Sequence, residues 1–213
     1  MARPEGGAGL IVIGVTGGLG TGKSTVARLL GQHGAEVIDA DKVAHAVMEP
    51  KKLAWRQLVR AFGPEILNED ETINRRWLAQ KVFRDPQARA ELEGIVHPQV
   101  LRHIKQRLHA LRRNRRLKAV VLDVPLLLET GSETLADVVV VVTAPPEVQR
   151  QRLLDRGMSE ADATARMRAQ WDLKKKLAKA HHVIENGNAM EQTRRQVAQL
   201  WNQLQAPRRT RRG

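Results

Sequence analysis

Gly17-Gly18-Leu19-Gly20-Thr21-Gly22-Lys23-Ser24 satisfies the pattern G-x-x-x-x-G-K-[ST] at every fixed position, and its flanks decide the fold. Before it, Leu10-Ile11-Val12-Ile13-Gly14-Val15 is short and nearly all apolar, as a strand buried on both faces would be. After it, Ser24-Thr25-Val26-Ala27-Arg28-Leu29-Leu30 opens a helix that Gly31 and Gly34 are expected to end. Glycines at such a strand-to-helix turn let successive backbone N–H groups point inward around phosphate oxygens without side-chain clashes. The helix start adds unpaired N–H groups and a positive dipole end. Gly18, Gly20, Thr21 and Gly22 line this cradle, and Lys23 reaches the β- and γ-phosphates of a nucleoside triphosphate. The Ser24 hydroxyl is placed to ligate Mg²⁺. A dinucleotide fingerprint fails here, because Lys23 stands where its third glycine would fall.

Working outward, Glu36–Asp39, Ala119–Asp123 and Val138–Val142 read as further short strands, and His182–Glu185 as a weaker one. Helical stretches separate them. The expected fold is therefore α/β, a P-loop NTPase-type doubly wound parallel sheet of about five strands. Residues 40–118 read as helix, with Trp77–Phe83 and Ala88–Ile95 as examples and a break at His97-Pro98 before a new helix from Gln99. That length exceeds a simple crossover and implies an inserted helical subdomain. The expected organisation is a single domain over residues 10–205, with a core at about 10–44 and 118–205. The helical insertion covers about 45–117, a lid about 147–172, and a basic, disordered tail 206–213.

Three further groups carry chemistry. Asp123 ends an apolar run in the manner of a Walker B strand and can hold Mg²⁺ directly or through water, or simply cap a loop. Asp39 and Asp41 stand where the second strand ends, and point the same way if the chain stays extended. One can serve as base for a hydroxyl acceptor or as a Mg²⁺-water ligand; one can cap the helix expected from about Lys42, which Asp41 directly precedes. Arg152 and Arg156 fall on one helical face after the fourth strand, where guanidinium groups can clamp a transferring phosphate from a lid.

Composition sets the limits. At 213 residues the chain suits one domain with a sizeable insertion. It has no Cys, which excludes disulfides, thiolate zinc sites and a Cys nucleophile, and which fits a reducing compartment. Its apolar runs are too short to span a bilayer, and its first residues lack the order of a signal peptide. A cytoplasmic protein with no membrane partner is expected. Lys and Arg number 36 against 23 Asp and Glu, a net +13 that calls for anionic partners. No acidic residue occurs from Gly94 to Leu122, a stretch holding Arg102, Lys105, Arg107, Arg112, Arg113, Arg115, Arg116 and Lys118. With four Trp, two Phe and no Tyr, a base-stacking platform has little to be built from, so no specific nucleic acid is expected.

The order of motifs resembles the dephospho-CoA kinase family from about Ile13 to Val197. The landmarks are Thr16–Val26, Val37-Ile38-Asp39-Ala40-Asp41, Phe62-Gly63, Ile95-Val96-His97-Pro98, Asp123-Val124-Pro125-Leu126-Leu127-Leu128-Glu129 and Gln149–Leu153. The resemblance implies ATP-dependent phosphorylation of the ribose 3′-hydroxyl of dephospho-CoA, the last step of coenzyme A synthesis, with Mg²⁺ as the metal. A monomer is the expected state, with a homo-oligomer as the alternative. The resemblance implies that Gly20 to Thr25 bind ATP phosphates and Mg²⁺, that Asp41 is the base or orients the acceptor, and that Arg152 is the lid arginine. It also implies that Asp39, Arg75, His97 and Pro98 belong to the acceptor side, and that Asn186-Gly187 lies near the adenine. The chain departs from the family at His45, where Arg is usual, at His181-His182 in place of Ala-Asp, and at Pro50-Lys51-Lys52 in place of Pro-Gly. A kinase of another small acceptor, such as a nucleoside monophosphate, and a basic nucleic-acid-binding protein are the rival readings.

Overall fold

The computed structural model describes residues 9–168 and 170–206. Readings made on residues 1–8 and on the basic tail at 207–213 lie outside them. The elements run β1 (Ile11–Gly17), α1 (Lys23–Gln32), β2 (Glu36–Asp39), α2 (Ala40–Val47), α3 (Leu53–Phe62), α4 (Arg75–Arg84) and α5 (Pro86–Leu111). There follow β3 (Ala119–Asp123), β4 (Val138–Thr143), α6 (Pro146–Leu154), α7 (Glu160–Arg168), α8 (Leu173–Leu177), β5 (His182–Glu185) and α9 (Met190–Gln205). No helix among the described residues is long and apolar enough to cross a membrane.

The strands form one parallel sheet in the order β2-β3-β1-β4-β5. Central β1 pairs with β3, setting Val15 opposite Asp123, and with β4, setting Gly17 opposite Val142. Alternation along each strand divides the apolar residues between two faces. Ile13, Val15, Val121, Val140, Val142 and Ile184 face one way and pack with Val26 and Leu30 of α1 and Val197 and Leu200 of α9. Val139 and Val141 face the other way, against Leu127 and Leu128. Leu127 lies so close to β1 that a Cβ on Gly14 would meet its Cδ2 at 2.7 Å. Each such side chain stabilises the fold by about 1.5–3 kcal/mol when fully buried. Together they fix the end of β1, from which the phosphate loop springs.

The chain divides into two compact units, one running up to Ile38 and resuming at Leu111, the other spanning Asp39–Ala110. The second unit is helical. Among its buried apolar side chains are Ala54, Leu58, Phe62, Ile66, Leu78, Val96, Val100, Ile104 and Leu108. Asn74 caps α4 by accepting the Trp77 N–H at 3.0 Å, and the Trp55 indole N–H donates to the Glu71 carbonyl at 2.8 Å.

Three local expectations need correction. Gly31 does not end α1; it lies inside the helix, where a Cβ would meet Val37 Cγ2 at 3.1 Å, and the chain leaves the helix at Gly34 with φ +102°. A helical glycine costs only about 1 kcal/mol, less than close packing returns. His97-Pro98 does not break the helix either: α5 runs unbroken across Pro98. Pro98 removes one N–H, but Gly94 and Pro98 are exposed, so water can satisfy the carbonyl left over. Residues buried on both sides of it, Ala88 and Val96 before and Val100 and Ile104 after, hold the axis together. Finally, α2 begins at Ala40, so Asp41 is helical and the chain does not stay extended through the Asp pair.

In β5, burial pushes the His182 imidazole below its ordinary pKa, and the neighbouring His181 pushes it the same way. The folded state thus favours neutral His182. Stability is full above the unfolded value of about 6.5 and declines as pH falls through the lower folded value. The melting temperature is expected to drop between about pH 7.5 and 5, and more steeply in the wild type than in His182→Gln. Parallel pH profiles for the two proteins would contradict this.

Candidate active site

The loop between β1 and α1 gives its carbonyls to donors of the protein. The Gly18 carbonyl accepts the Thr21 hydroxyl at 2.8 Å, the Thr21 N–H at 3.3 Å and Lys23 Nζ at 3.0 Å. Lys23 also donates to the Gly17 carbonyl at 3.3 Å. Gly22 caps α1 with φ 87°, with no side-chain cap and no acidic residue in the first turn. The helix therefore turns its positive dipole end toward the loop, with the Thr25 N–H taken by the Gly22 carbonyl at 3.0 Å. Gly20 and Gly22 have left-handed backbones, and their missing Cβ atoms matter. One on Gly20 would meet the Gln149 carbonyl at 2.6 Å, and one on Gly22 would collide with Asn186 Nδ2.

Arg152 of α6 reaches this loop. Its Nη1 donates to the Gly20 and Thr21 carbonyls at 3.3 and 3.4 Å, and its Nη2 to the Asn186 carbonyl at 2.8 Å. The Asn186 side chain, buried at the end of β5, donates to the Thr21 carbonyl at 2.8 Å and accepts the Thr193 hydroxyl at 2.9 Å. One end of that amide thus braces the loop, while the other is held by Thr193 of α9. Ser24 is exposed and Thr25 half-buried on the first turn of α1. Asp123 is buried at the end of β3. A serine hydroxyl and a carboxylate are hard oxygen donors, which suit Mg²⁺ better than a softer metal. No group of three or more His, Cys, Asp or Glu side chains that could hold a metal ion occurs among the described residues.

In the helical unit, the cap of α2 is Asp39, not Asp41. Its Oδ1 accepts the N–H groups of Asp41 at 3.0 Å and Lys42 at 3.1 Å. Asp41 is exposed in the first turn of α2. Arg75 is the first residue of α4, and His97 and Pro98 sit mid-way along α5. A recess in this unit is lined by Val47, Lys52, Leu53, Ala54, Gln99, Arg102, His103 and Gln106; Arg75, His97 and Pro98 are not among its lining residues. The basic residues from Arg102 to Lys118 are exposed. Arg156 lies past the end of α6 and is exposed, so it does not share Arg152's helical face.

Several residues at the site had no role assigned to them from the sequence, although Gln149 falls within the Gln149–Leu153 landmark. Gln149 donates to the Ala144 carbonyl at 2.7 Å and abuts Gly18 and Gly20, Thr193 holds Asn186, and Gln170 bonds to the loop backbone. Each is a lone polar residue with no fixed spacing to the loop, so only the fold brings it there.

The strand order, with β1 flanked on both sides and its loop wrapped on a lysine, is that of the P-loop kinases. Known proteins narrow the class. The family model described as dephospho-CoA kinase matches residues 11–192. The chain is 44% identical over 196 residues to the dephospho-CoA kinase of Syntrophotalea carbinolica, covering 92% of each chain. It is similar to a crystal structure from Thermus thermophilus with a TM-score of 0.78, at 36% identity, covering 93% of this chain and 100% of that one. It is also similar to the dephospho-CoA kinase of Campylobacter jejuni, with a TM-score of 0.69 at 28% identity, covering 91% of this chain and 96% of that one. The chain belongs to the dephospho-CoA kinase family and is an enzyme of the last step of coenzyme A synthesis.

Asn186→Ala would take its acceptor from the Thr193 hydroxyl and leave the Thr21 carbonyl with only the longer Arg152 bond inside the protein. Denaturant titration is expected to show a loss of about 1–3 kcal/mol, together with weaker ATP binding. An unchanged midpoint would show that the amide does not brace the loop.

Proposed function

We propose that Lys23, Asp41 and Arg152 carry the transfer of the γ-phosphoryl group of ATP to the ribose 3′-hydroxyl of dephospho-CoA, giving coenzyme A and ADP. Support comes foremost from Arg152, whose guanidinium is tied by both terminal nitrogens to carbonyls around the phosphate loop. An arginine so held is oriented before substrate arrives, and orientation is most of what phosphoryl transfer asks of a protein. The loop N–H groups of Gly20 to Thr25 and the Lys23 ammonium take up the charge of the β- and γ-phosphates, with Gly18 completing the turn. Arg152 neutralises the charge that spreads over the transferring group.

Asp41 receives or orients the proton of the 3′-hydroxyl as that oxygen attacks. The cap supports Asp41 over Asp39 for this role, because it engages the Asp39 carboxylate with the backbone. Oδ1 of Asp39 is engaged by two backbone N–H groups, and its Oδ2 lies 3.9 Å from Lys42 Nζ. Asp41 caps nothing. Asp39 then acts on the acceptor side by fixing the first turn of α2. Ser24 and Asp123 would hold Mg²⁺, which when bound draws charge from the β- and γ-phosphate oxygens.

The helical insertion, about residues 45–117, serves as the acceptor-binding part, with Arg75, His97 and Pro98 on it, and residues 147–172 serve as the lid. The recess beside Arg102 joins apolar walls at Val47, Leu53 and Ala54 to cationic Arg102 and Lys52, a mixture that suits the chain and the phosphates of the acceptor. His45, exposed in the last turn of α2, stands where the family usually has arginine, so this acceptor site carries less fixed charge there. The absence of Cys suits a reducing cytoplasm.

Lys23→Ala and Arg152→Ala are each expected to lower kcat by about a thousandfold or more, and Asp41→Asn by about a hundredfold or more, with far-UV circular dichroism unchanged. Near-wild-type turnover by Asp41→Asn would remove it as base and return the role to Asp39.

A further inference from the structure

The Gly18–Leu19 peptide unit is held at both ends. Its carbonyl takes Lys23 Nζ at 3.0 Å and the Thr21 hydroxyl at 2.8 Å. Its N–H donates to Gln170 Oε1 at 2.8 Å, a bond between residues 151 positions apart in the chain. A peptide plane is rigid, so whatever fixes the N–H also fixes where the carbonyl points. Gln170 thereby sets the direction of the oxygen on which Lys23 rests.

Gln170 is itself delivered by an anchored segment. It lies between α7 and α8, and the ten residues after it are fastened to the chain that follows β3. Lys176, 1% exposed, brings its Nζ to 2.7 Å from Glu129 Oε1, at ion-pair distance but without the angle of a hydrogen bond. Lys179 Nζ lies 2.6 Å from Glu133 Oε1 and 5.9 Å from the centre of the Trp171 ring. Ala180 packs on the cluster of Leu127, Leu128, Val139 and Val141. A buried lysine–carboxylate pair lacking hydrogen bonds is a poor source of stability, since desolvation offsets most of its attraction. Holding one segment in place is a use that such a pair can serve.

We propose that Gln170 is a positioning residue for phosphoryl transfer, acting on Lys23 through the Gly18–Leu19 peptide, and that the Lys176–Glu129 and Lys179–Glu133 pairs form the anchor that presents it. An amide suits the task. It accepts the Leu19 N–H without setting a negative charge beside ATP phosphates, as a carboxylate would. This inference rests on the phosphate-loop reading. Wild-type protein that failed to bind ATP would sink that reading, whereas normal binding by an unaffected variant sinks only this one.

The test compares Gln170→Ala and Gln170→Glu with wild type in steady-state kinetics, thermal melting and hydrogen exchange of the Leu19 amide. In Gln170→Ala the Leu19 amide is expected to exchange about tenfold faster, the factor for one lost hydrogen bond. KM for ATP rises and kcat falls, each by about tenfold, while KM for dephospho-CoA and the melting temperature stay at wild-type values. Gln170→Glu keeps the acceptor and hence the Leu19 protection, but raises KM for ATP through its charge. Unchanged Leu19 exchange with unchanged KM for ATP in Gln170→Ala overturns the proposal. So does a lowered melting temperature with both KM values shifted together, because that is the mark of a merely structural role.

Discussion

A backbone that offers its N–H groups to an anion has to place its carbonyls somewhere else. In this loop the carbonyls of Gly17, Gly18, Gly20 and Thr21 all meet donors of the protein, from Lys23, Thr21, Arg152 and Asn186. The start of α1, with no side-chain cap and no acidic residue in its first turn, is where the remaining N–H groups are offered to phosphate. The rest of this unit follows from the arrangement. The parallel sheet, buried on both faces, supplies a rigid strand end for the loop. α6 brings Arg152, the end of β5 brings Asn186, and the segment before α8 brings Gln170. Residues far apart in sequence converge on one short turn, and each converts a backbone polar group into a fixed dipole. Such fixed dipoles act on phosphate charge at little cost in reorganisation.

Much of this was legible in the sequence. The apolar run before Gly17 marked β1, and the P-loop pattern located both lysine and cradle. Short β-branched runs placed the other strands, because a strand covered on both faces has to be apolar throughout. What failed was local punctuation. Gly31 and Pro98 look like helix ends, but propensity is a weak signal beside tertiary packing, and both sit inside helices whose buried residues continue past them. Asp41 looked like a cap because it was expected to precede its helix; the helix starts earlier and Asp39 does the capping.

The candidate site was legible only where chemistry imposes spacing. Lys23 and Ser24 belong to a contiguous motif, and Arg152 came from its place after the fourth strand. Gln170, Gln149 and Thr193 act by hydrogen bonds to backbone or to a single side chain, an arrangement with no sequence period. The Lys176–Glu129 pair joins residues 47 positions apart and looks, in sequence, like two ordinary surface charges. Burial alone reveals it. The high net charge has a bland structural counterpart in an exposed basic run, from Arg102 to Lys118. Solvated cations of that kind bind polyanions with a steep salt dependence and need no dedicated site.

The central claim is that the phosphate loop serves phosphoryl transfer to one particular acceptor. The most direct test is ADP release with ATP and Mg²⁺ in the presence of dephospho-CoA, adenosine, AMP or no acceptor. The account predicts turnover with dephospho-CoA that exceeds the other three by orders of magnitude, and a product phosphorylated at the ribose 3′ position. Equal or greater turnover with AMP or adenosine would contradict the assignment of the acceptor, and a folded, ATP-binding protein that turned over none of them would contradict the account as a whole.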